Sequence, residues 1–275
     1  MKKYISLNVL LLVLAFVAFE AKGWGREGHT AVAYIAEMQL TERAKANIEK
    51  RIDNRSIVYY ATWLDNHRRD HKEWNQRRHT CEFDIDTFRP IGKPVAHLKE
   101  SIELMRQYES LTDSAFRFNL FVLLHQVGDF HCPGHNEYYV KSDKGYKKKY
   151  HSKYDVYFVE RKAVCNYHGF WDTDVLRYRF GSWGYMDYGN VLAANVPEDV
   201  KKQITAGSVE DWLEDSARRS LTIYEQIPSK PKNTPKDELS VVTPGLVNGF
   251  NDLANEQILR AGLRLGALLN EIFDK

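Results

Sequence analysis

His125 and Asp129 stand four residues apart, and so do His168 and Asp172. On an α-helix, positions i and i+4 share a face about one turn apart, so each pair can aim an imidazole nitrogen and a carboxylate oxygen at one cation. Neutral imidazole and carboxylate are the ligands zinc takes in sites that keep a position open for water. A single copy of the spacing also describes a solvated surface pair. The first copy has a particular setting: it closes the apolar run Phe121-Val122-Leu123-Leu124 and is followed by Gly128, His131, Pro133, Gly134 and His135. Ionisable groups that close an apolar run need partners, because burying them bare is costly. A metal partners several of them at once; histidines bonded to the last carbonyls of a helix, near its negative end, are the alternative. Pro133 and Gly134 would stop the helix and turn the chain, letting His135 face a different ion from His125.

These residues need helices to hold them, and apolar residues recur at helical spacing through 31–38, 98–108, 116–127, 212–227 and 253–273. Strand patterns are scarce. In 155–167, Val156, Phe158 and Val164 flank the charged turn Glu160-Arg161-Lys162, which predicts a short hairpin. The segments 88–94, 141–153 and 228–244 read as loops. The expected fold class is all-α: one helical domain with a small β-hairpin excursion.

The first residues carry Lys2 and Lys3, then an apolar run from Val9 to Phe19, then Ala21-Lys22-Gly23 before Trp24. That pattern is a cleavable secretory signal over 1–23, and the run is well short of the roughly 20 residues of a membrane span. An exported chain with no membrane span is expected, with one domain over 24–275. Taking Lys2, Lys3, Lys22 and Glu20 from a chain of formal net charge +2 leaves no net charge. Attraction to nucleic acid would then come from bound cations or a local patch. Cys81, Cys132 and Cys165 allow at most one disulfide, with no pairing legible.

Three segments together resemble the signature of the zinc-dependent single-strand-specific nucleases of the S1/P1 type: Trp24-Gly-x-x-Gly-His29, His125-Gln-Val-Gly-Asp129-Phe-His-Cys-Pro-Gly-His135, and Asn166-Tyr-His168-Gly-Phe-Trp-Asp172. The likeness runs along nearly the whole mature chain and includes Thr62-Trp63-Leu64-Asp65 with Arg68, and the helices around Trp212 and Leu263. It implies the fold of those nucleases and of bacterial zinc phospholipase C, and three zinc ions. The first ion would be held by Asp65, His79, His125 and Asp129. The second would take the free amine and carbonyl of Trp24, with His29 and the shared Asp129, and the third His135, His168 and Asp172. His67, His71, His97, His131 and His151 are left as ordinary residues.

The resemblance further implies catalytic roles for Asp129, Asp65 and Arg68, with Arg68 neutralising charge on the phosphate. Glu82 stands where the family has Asp or Asn near the base, while Thr80 replaces an aromatic residue that can stack on a base. The lysine- and tyrosine-rich stretch after His135 adds Tyr138 and Tyr139 as candidate substrate contacts. The expected activity is endonucleolytic hydrolysis of single-stranded DNA and RNA to 5′-phosphorylated products, with 3′-nucleotides as further substrates and a monomeric enzyme. Two rivals stay open. One is zinc phospholipase C, disfavoured by the short Trp24–His29 interval and by Asp172 in place of glutamate. The other is an exported binding module that keeps metal only to stabilise its fold.

Overall fold

The computed structural model describes residues 24–67, 70, 79–176 and 183–275, and the fold is mostly helical. In chain order the helices are α1 (Gly25–Glu37), α2 (Glu42–Glu49), α3 (Trp63–His67), α4 (Pro94–Arg106), α5 (Asp113–His131), α6 (Tyr167–Gly169), α7 (Tyr185–Ala193), α8 (Glu198–Thr205), α9 (Val209–Gln226) and α10 (Pro244–Phe273). The strands are β1 (Cys81–Asp84), β2 (Pro90–Ile91), β3 (Asn136–Ser142), β4 (Gly145–Tyr150), β5 (Asp155–Phe158), β6 (Ala163–Asn166) and β7 (Val241–Val242).

Helix α5 is the centre of the molecule. Its second half, from Leu120 through His131, is buried at every position, as expected of a helix with neighbours on all sides. Its start is fixed by Thr112, whose hydroxyl accepts from the Ala115 N–H. At its end Ser216 of α9 donates to the Phe130 carbonyl, and Gln257 of α10 donates to the Ser216 hydroxyl. The orphan carbonyls of the helix end are thus partly met by neighbouring helices. Helix α10 buries Phe250, Ala254, Ile258, Ala261, Leu265, Leu268, Leu269 and Ile272 at spacings of three and four, and packs most extensively on α1.

The β content is larger than the single hairpin expected. The predicted hairpin is present as β5 and β6, with Val156 opposite Cys165 and Tyr157 opposite Val164. β7, inside the stretch read as a loop, adds to it in parallel. The second sheet has the order β2-β1-β3-β4, in which β1 and β3 run parallel and pair Cys81 with Asn136 and Phe83 with Tyr138. Segment 141–153 is therefore no plain loop, since β4 pairs with β3 through Val140–Lys147 and Lys141–Tyr146. Consecutive lysines hid the strand, and the same lysines suit an edge that must not recruit another chain. Short helices α2, α7 and α8 were also not legible; α8, for example, buries only Ile204.

Candidate metal centre

The candidate ligands come from several elements. α5 supplies His125 and Asp129 from its fully buried half, α1 supplies His29 and α3 supplies Asp65. His79 lies just ahead of β1, and His135 closes the 3₁₀ turn Pro133–His135 just ahead of β3. Because those two strands are parallel and in register, both histidines enter the sheet from the same end. His168 sits on α6, and Asp172 sits on the π-helical turn Phe170–Asp174 rather than on a continuous α-helix. They still meet, with Nε2 to Oδ2 at 3.3 Å.

Close approach depends on glycine. A Cβ on Gly128 would stand 3.0 Å from His29 Nδ1, so α1 can lie against α5 only without one. Gly25, at a φ of +41°, would put a Cβ 2.3 Å from the Asp172 carbonyl oxygen. That contact seats the buried Trp24 beside the segment bearing Asp172.

Asp129 lies between two groups of imidazoles. Its Oδ1 is 3.1 Å from His29 Nε2 and 3.7 Å from His135 Nδ1, while Oδ2 is 3.1 Å from His125 Nε2 and 3.4 Å from His79 Nδ1. Asp65 Oδ1 is 3.5 Å from His125 Nε2. On the other side, Asp172 Oδ1 is 3.3 Å from His135 Nε2. The candidate ligand atoms of Asp65, His79 and His125 all lie within 4.8 Å of one another, as do those of His29, His125 and Asp129 and those of His79, His135 and His168. His79 is thus shared between neighbouring groups.

Burial sets these charges against one another. Burial, then the His125 charge, holds His29 below its ordinary value, and burial with His135 and His79 does the same more strongly to His168. Burial also pulls on His125, but Asp129 and Asp65 overcome it and raise the imidazole to about 9. His135 reaches about 9 in the same way, against burial, through Asp129 and Asp172. Burial pushes Asp172 up to about 7. Asp129 stays well below the carboxylate range because His125 and His135 outweigh its burial.

The residues fit divalent metal. His29 Nδ1 and Nε2, Asp65 Oδ1, His79 Nδ1, both oxygens of Asp129, His168 Nε2 and Asp172 Oδ2 are buried and make no well-directed hydrogen bond. So many buried polar atoms without hydrogen bonds, gathered in one region, are costly unless a cation meets them. The outer nitrogens of two rings are oriented by backbone: His125 Nδ1 is 3.3 Å from the Ala61 carbonyl, and His135 Nδ1 is 2.8 Å from that of His79. Such outer contacts fix the tautomer that leaves Nε2 free to bind metal.

The model of the family described as S1/P1 Nuclease matches residues 24–274. The chain belongs to that family. Among curated relatives, Endonuclease 2 of Arabidopsis thaliana is 25% identical over 304 aligned positions, covering 98% of this chain and 97% of its own. Nuclease S1 of Aspergillus oryzae is 23% identical, covering 99% and 98%. Nuclease P1 of Penicillium citrinum is 23% identical, covering 90% of this chain and 97% of its own. The family assignment agrees with the resemblance carried by the three sequence segments.

The structure brings Trp24, His29, Asp65, His79, His125, Asp129, His135, His168 and Asp172 into one region, with Trp24 fully buried and its carbonyl accepting from the Gly28 N–H at 3.1 Å. Arg68 and His71 lie outside the described residues, as does 1–23. Tyr138 is corrected: it is fully buried, and its hydroxyl donates to the Ala217 carbonyl on α9 at 2.6 Å, so it faces the core and not a substrate. Alternation along β3 explains the error, because Tyr139 points to the opposite face. There its hydroxyl donates to Glu82 Oε1 at 3.3 Å, so these two candidates are neighbours. All three cysteines are free.

Two residues escaped sequence reasoning. Cys132 groups with His135 and Asp172, its sulfur 4.0 Å from Asp172 Oδ1, and burial holds the thiol protonated. Its position between His131 and Pro133 was the available signal. Arg264 reaches His131 Nε2 at 2.8 Å and Asp215 Oδ2 at 2.8 Å across 133 and 49 residues of chain, a distance no local pattern spans.

Proposed function

We propose that the chain is an exported, zinc-dependent endonuclease. Residues 1–23 are a signal removed after Gly23, and 24–275 form a nuclease domain with three zinc ions. It hydrolyses phosphodiester bonds of single-stranded DNA and RNA to 5′-phosphorylated products, with 3′-nucleotidase activity. The observation that carries this reading is Asp129, whose two carboxylate oxygens each face two histidines at 3.1–3.7 Å on the buried half of α5. Family membership and the names of the relatives support it.

In this reading Asp65, His79, His125 and Asp129 hold one ion, Trp24, His29 and Asp129 a second, and His135, His168 and Asp172 a third. When bound, zinc supplies a nucleophile from water near neutral pH and Lewis acidity toward the phosphate and the departing oxygen. The chain does the rest. Asp129, held ionised by His125 and His135, fixes the separation of its two flanking groups. Asp65 keeps His125 turned toward the centre. Arg68 neutralises charge that develops on the equatorial oxygens. Glu82, anchored by the Tyr139 hydroxyl, accepts from an unpaired base, and an unpaired base reaches it without the cost of opening a duplex. Because His125 and His135 hold protons strongly without a cation, metal binding releases protons and tightens as pH rises.

The discriminating experiment offers purified, processed protein single-stranded DNA and, separately, a short-chain phosphatidylcholine. Faster release of 5′-nucleotides supports the nuclease. Faster release of phosphocholine would assign the chain to the lipase branch, and inertness toward both would leave a metal-stabilised binding module.

A further inference from the structure

A cavity outside the metal centre lies along the first half of α5, with a volume of about 1070 Å³. It is walled by the 3₁₀ turn Ile57–Tyr60, α3 and α5, and its lining includes Tyr59, Trp63, Phe118, Phe121, Arg55 and Arg117. Tyr59 is 62% exposed, and the Arg55 guanidinium lies 4.3 Å above its ring. Trp63 is half-buried, stacked at 4.3 Å on His67 and tilted against Phe121 at 5.0 Å. The two acids at this rim are matched, Asp53 by Arg117 and Asp113 by Arg51. Arg55 meets no carboxylate within 4.0 Å among the described residues, so the rim keeps one cation over an exposed ring.

The groove is lined by neighbours, along α3 and α5, of residues assigned to the metal centre. Trp63 precedes Asp65 by two residues on α3, and Phe121 precedes His125 by one turn on α5. Ala61, between Tyr59 and Trp63 in the chain, bonds His125 through its carbonyl. From His125 back to Phe118 the helix rises about 10 Å. That is roughly three nucleotides of strand at about 3.4 Å each.

We propose that this groove is a second strand-binding site, which takes single-stranded polynucleotide two or more nucleotides from the phosphodiester at the metal centre, stacking a base on Tyr59 and placing a phosphate against Arg55. The proposal rests on the nuclease reading. The exposed Tyr59 ring, beside an arginine that meets no carboxylate within 4.0 Å among the described residues, suits a chain of bases and phosphates of any sequence, because every base has a π-face. A dinucleotide at the metal centre is too short to reach the groove.

The test uses the full processed chain and the substitutions Tyr59→Ala and Arg55→Gln, both at exposed positions. Binding is measured with a fluorescent oligothymidylate of about twenty nucleotides whose phosphorothioate links resist hydrolysis; cleavage is measured on an ordinary oligonucleotide and on a dinucleotide. Each variant is expected to bind the long strand about tenfold more weakly, in line with the loss of one stacked base or one phosphate contact. KM for the long strand should rise to match while dinucleotide turnover stays at the wild-type level. Arg55→Gln should also lower the salt dependence of binding by about 0.7 in the log–log slope. Unchanged affinity for the long strand, or an equal loss on the dinucleotide, would overturn the site. So would a dimer that dissociates on Tyr59→Ala while oligonucleotide affinity is untouched. If the wild type binds the strand, cleaves neither substrate and loses affinity on substitution, the nuclease reading falls and the strand site stands.

Discussion

At the scale of single residues, Asp129 concentrates the chemistry. Two buried oxygens on one helix are shared among four histidines, so its replacement frees both flanking groups at once. Asp129→Ala is expected to lower turnover by at least about a thousandfold, roughly 4 kcal/mol of barrier, in a protein whose helical content is retained. Turnover on single-stranded DNA, read beside circular dichroism, checks this, and a variant keeping a tenth of wild-type rate would remove Asp129 from the shared position. Residue types and spacing made this centre legible, because imidazole and carboxylate recurring at fixed intervals have few other uses. Tyr138 shows the limit. Composition marked it and Tyr139 alike, but a strand sends neighbours to opposite faces, and only pairing with β1 and packing on α9 decide which face meets α9.

At the scale of elements, the centre is held by the ends of helices and by one long-range arginine. Arg264 on α10 is 3% exposed and donates to His131 Nε2, Asp215 Oδ2 and the carbonyls of Ile204 and Trp212, so it ties α10 to α5, α8 and α9. Its donation to Nε2 leaves Nδ1 of His131 to bond the Val127 carbonyl at 2.7 Å, which locks a neutral ring two residues from Asp129. Burial and the Arg264 charge hold that ring down to about 3. Removing the guanidinium takes a donor from His131 Nε2 and from the Ile204 and Trp212 carbonyls inside the protein. Arg264→Met is expected to destabilise the fold by about 3 kcal/mol, the lower end for a broken buried pair because Asp215 keeps Arg260 and Arg219. Denaturant midpoints at equal slope measure it, and a loss under about 0.5 kcal/mol, the usual range for an exposed site, would show that the network is idle. The major helices were legible in sequence through apolar periodicity, and so was the β5–β6 hairpin. The sheet β2-β1-β3-β4 was not, since its β1–β3 pairing joins segments more than fifty residues apart and its edge strand is written in lysine.

At the scale of the whole molecule, the segment that opens at Trp24 is packed into the site. Trp24 is fully buried, Gly25 lies against the Asp172 carbonyl, and His29 stacks on His125 at 4.2 Å. With the proposed processing after Gly23, export and assembly of the centre would be one event, because the α-amine of Trp24 is free to bind a metal only after cleavage. A single alanine left before Trp24 replaces that amine with a planar amide whose lone pair is delocalised. The extended form is expected to bind about two zinc ions where the processed form binds three, and to lose most of its turnover. Metal analysis of the two forms checks this, and equal content with equal rates would make Trp24 a buried aromatic and nothing more. The central claim, that metal held by this cluster performs hydrolysis of unpaired nucleic acid, is tested most directly by the rate of 5′-nucleotide release from single-stranded DNA through a cycle of chelation and zinc return. Release should stop with the chelator, recover with zinc, and be far slower on duplex DNA throughout. Hydrolysis that survives complete chelation, or that runs equally on duplex, would contradict it.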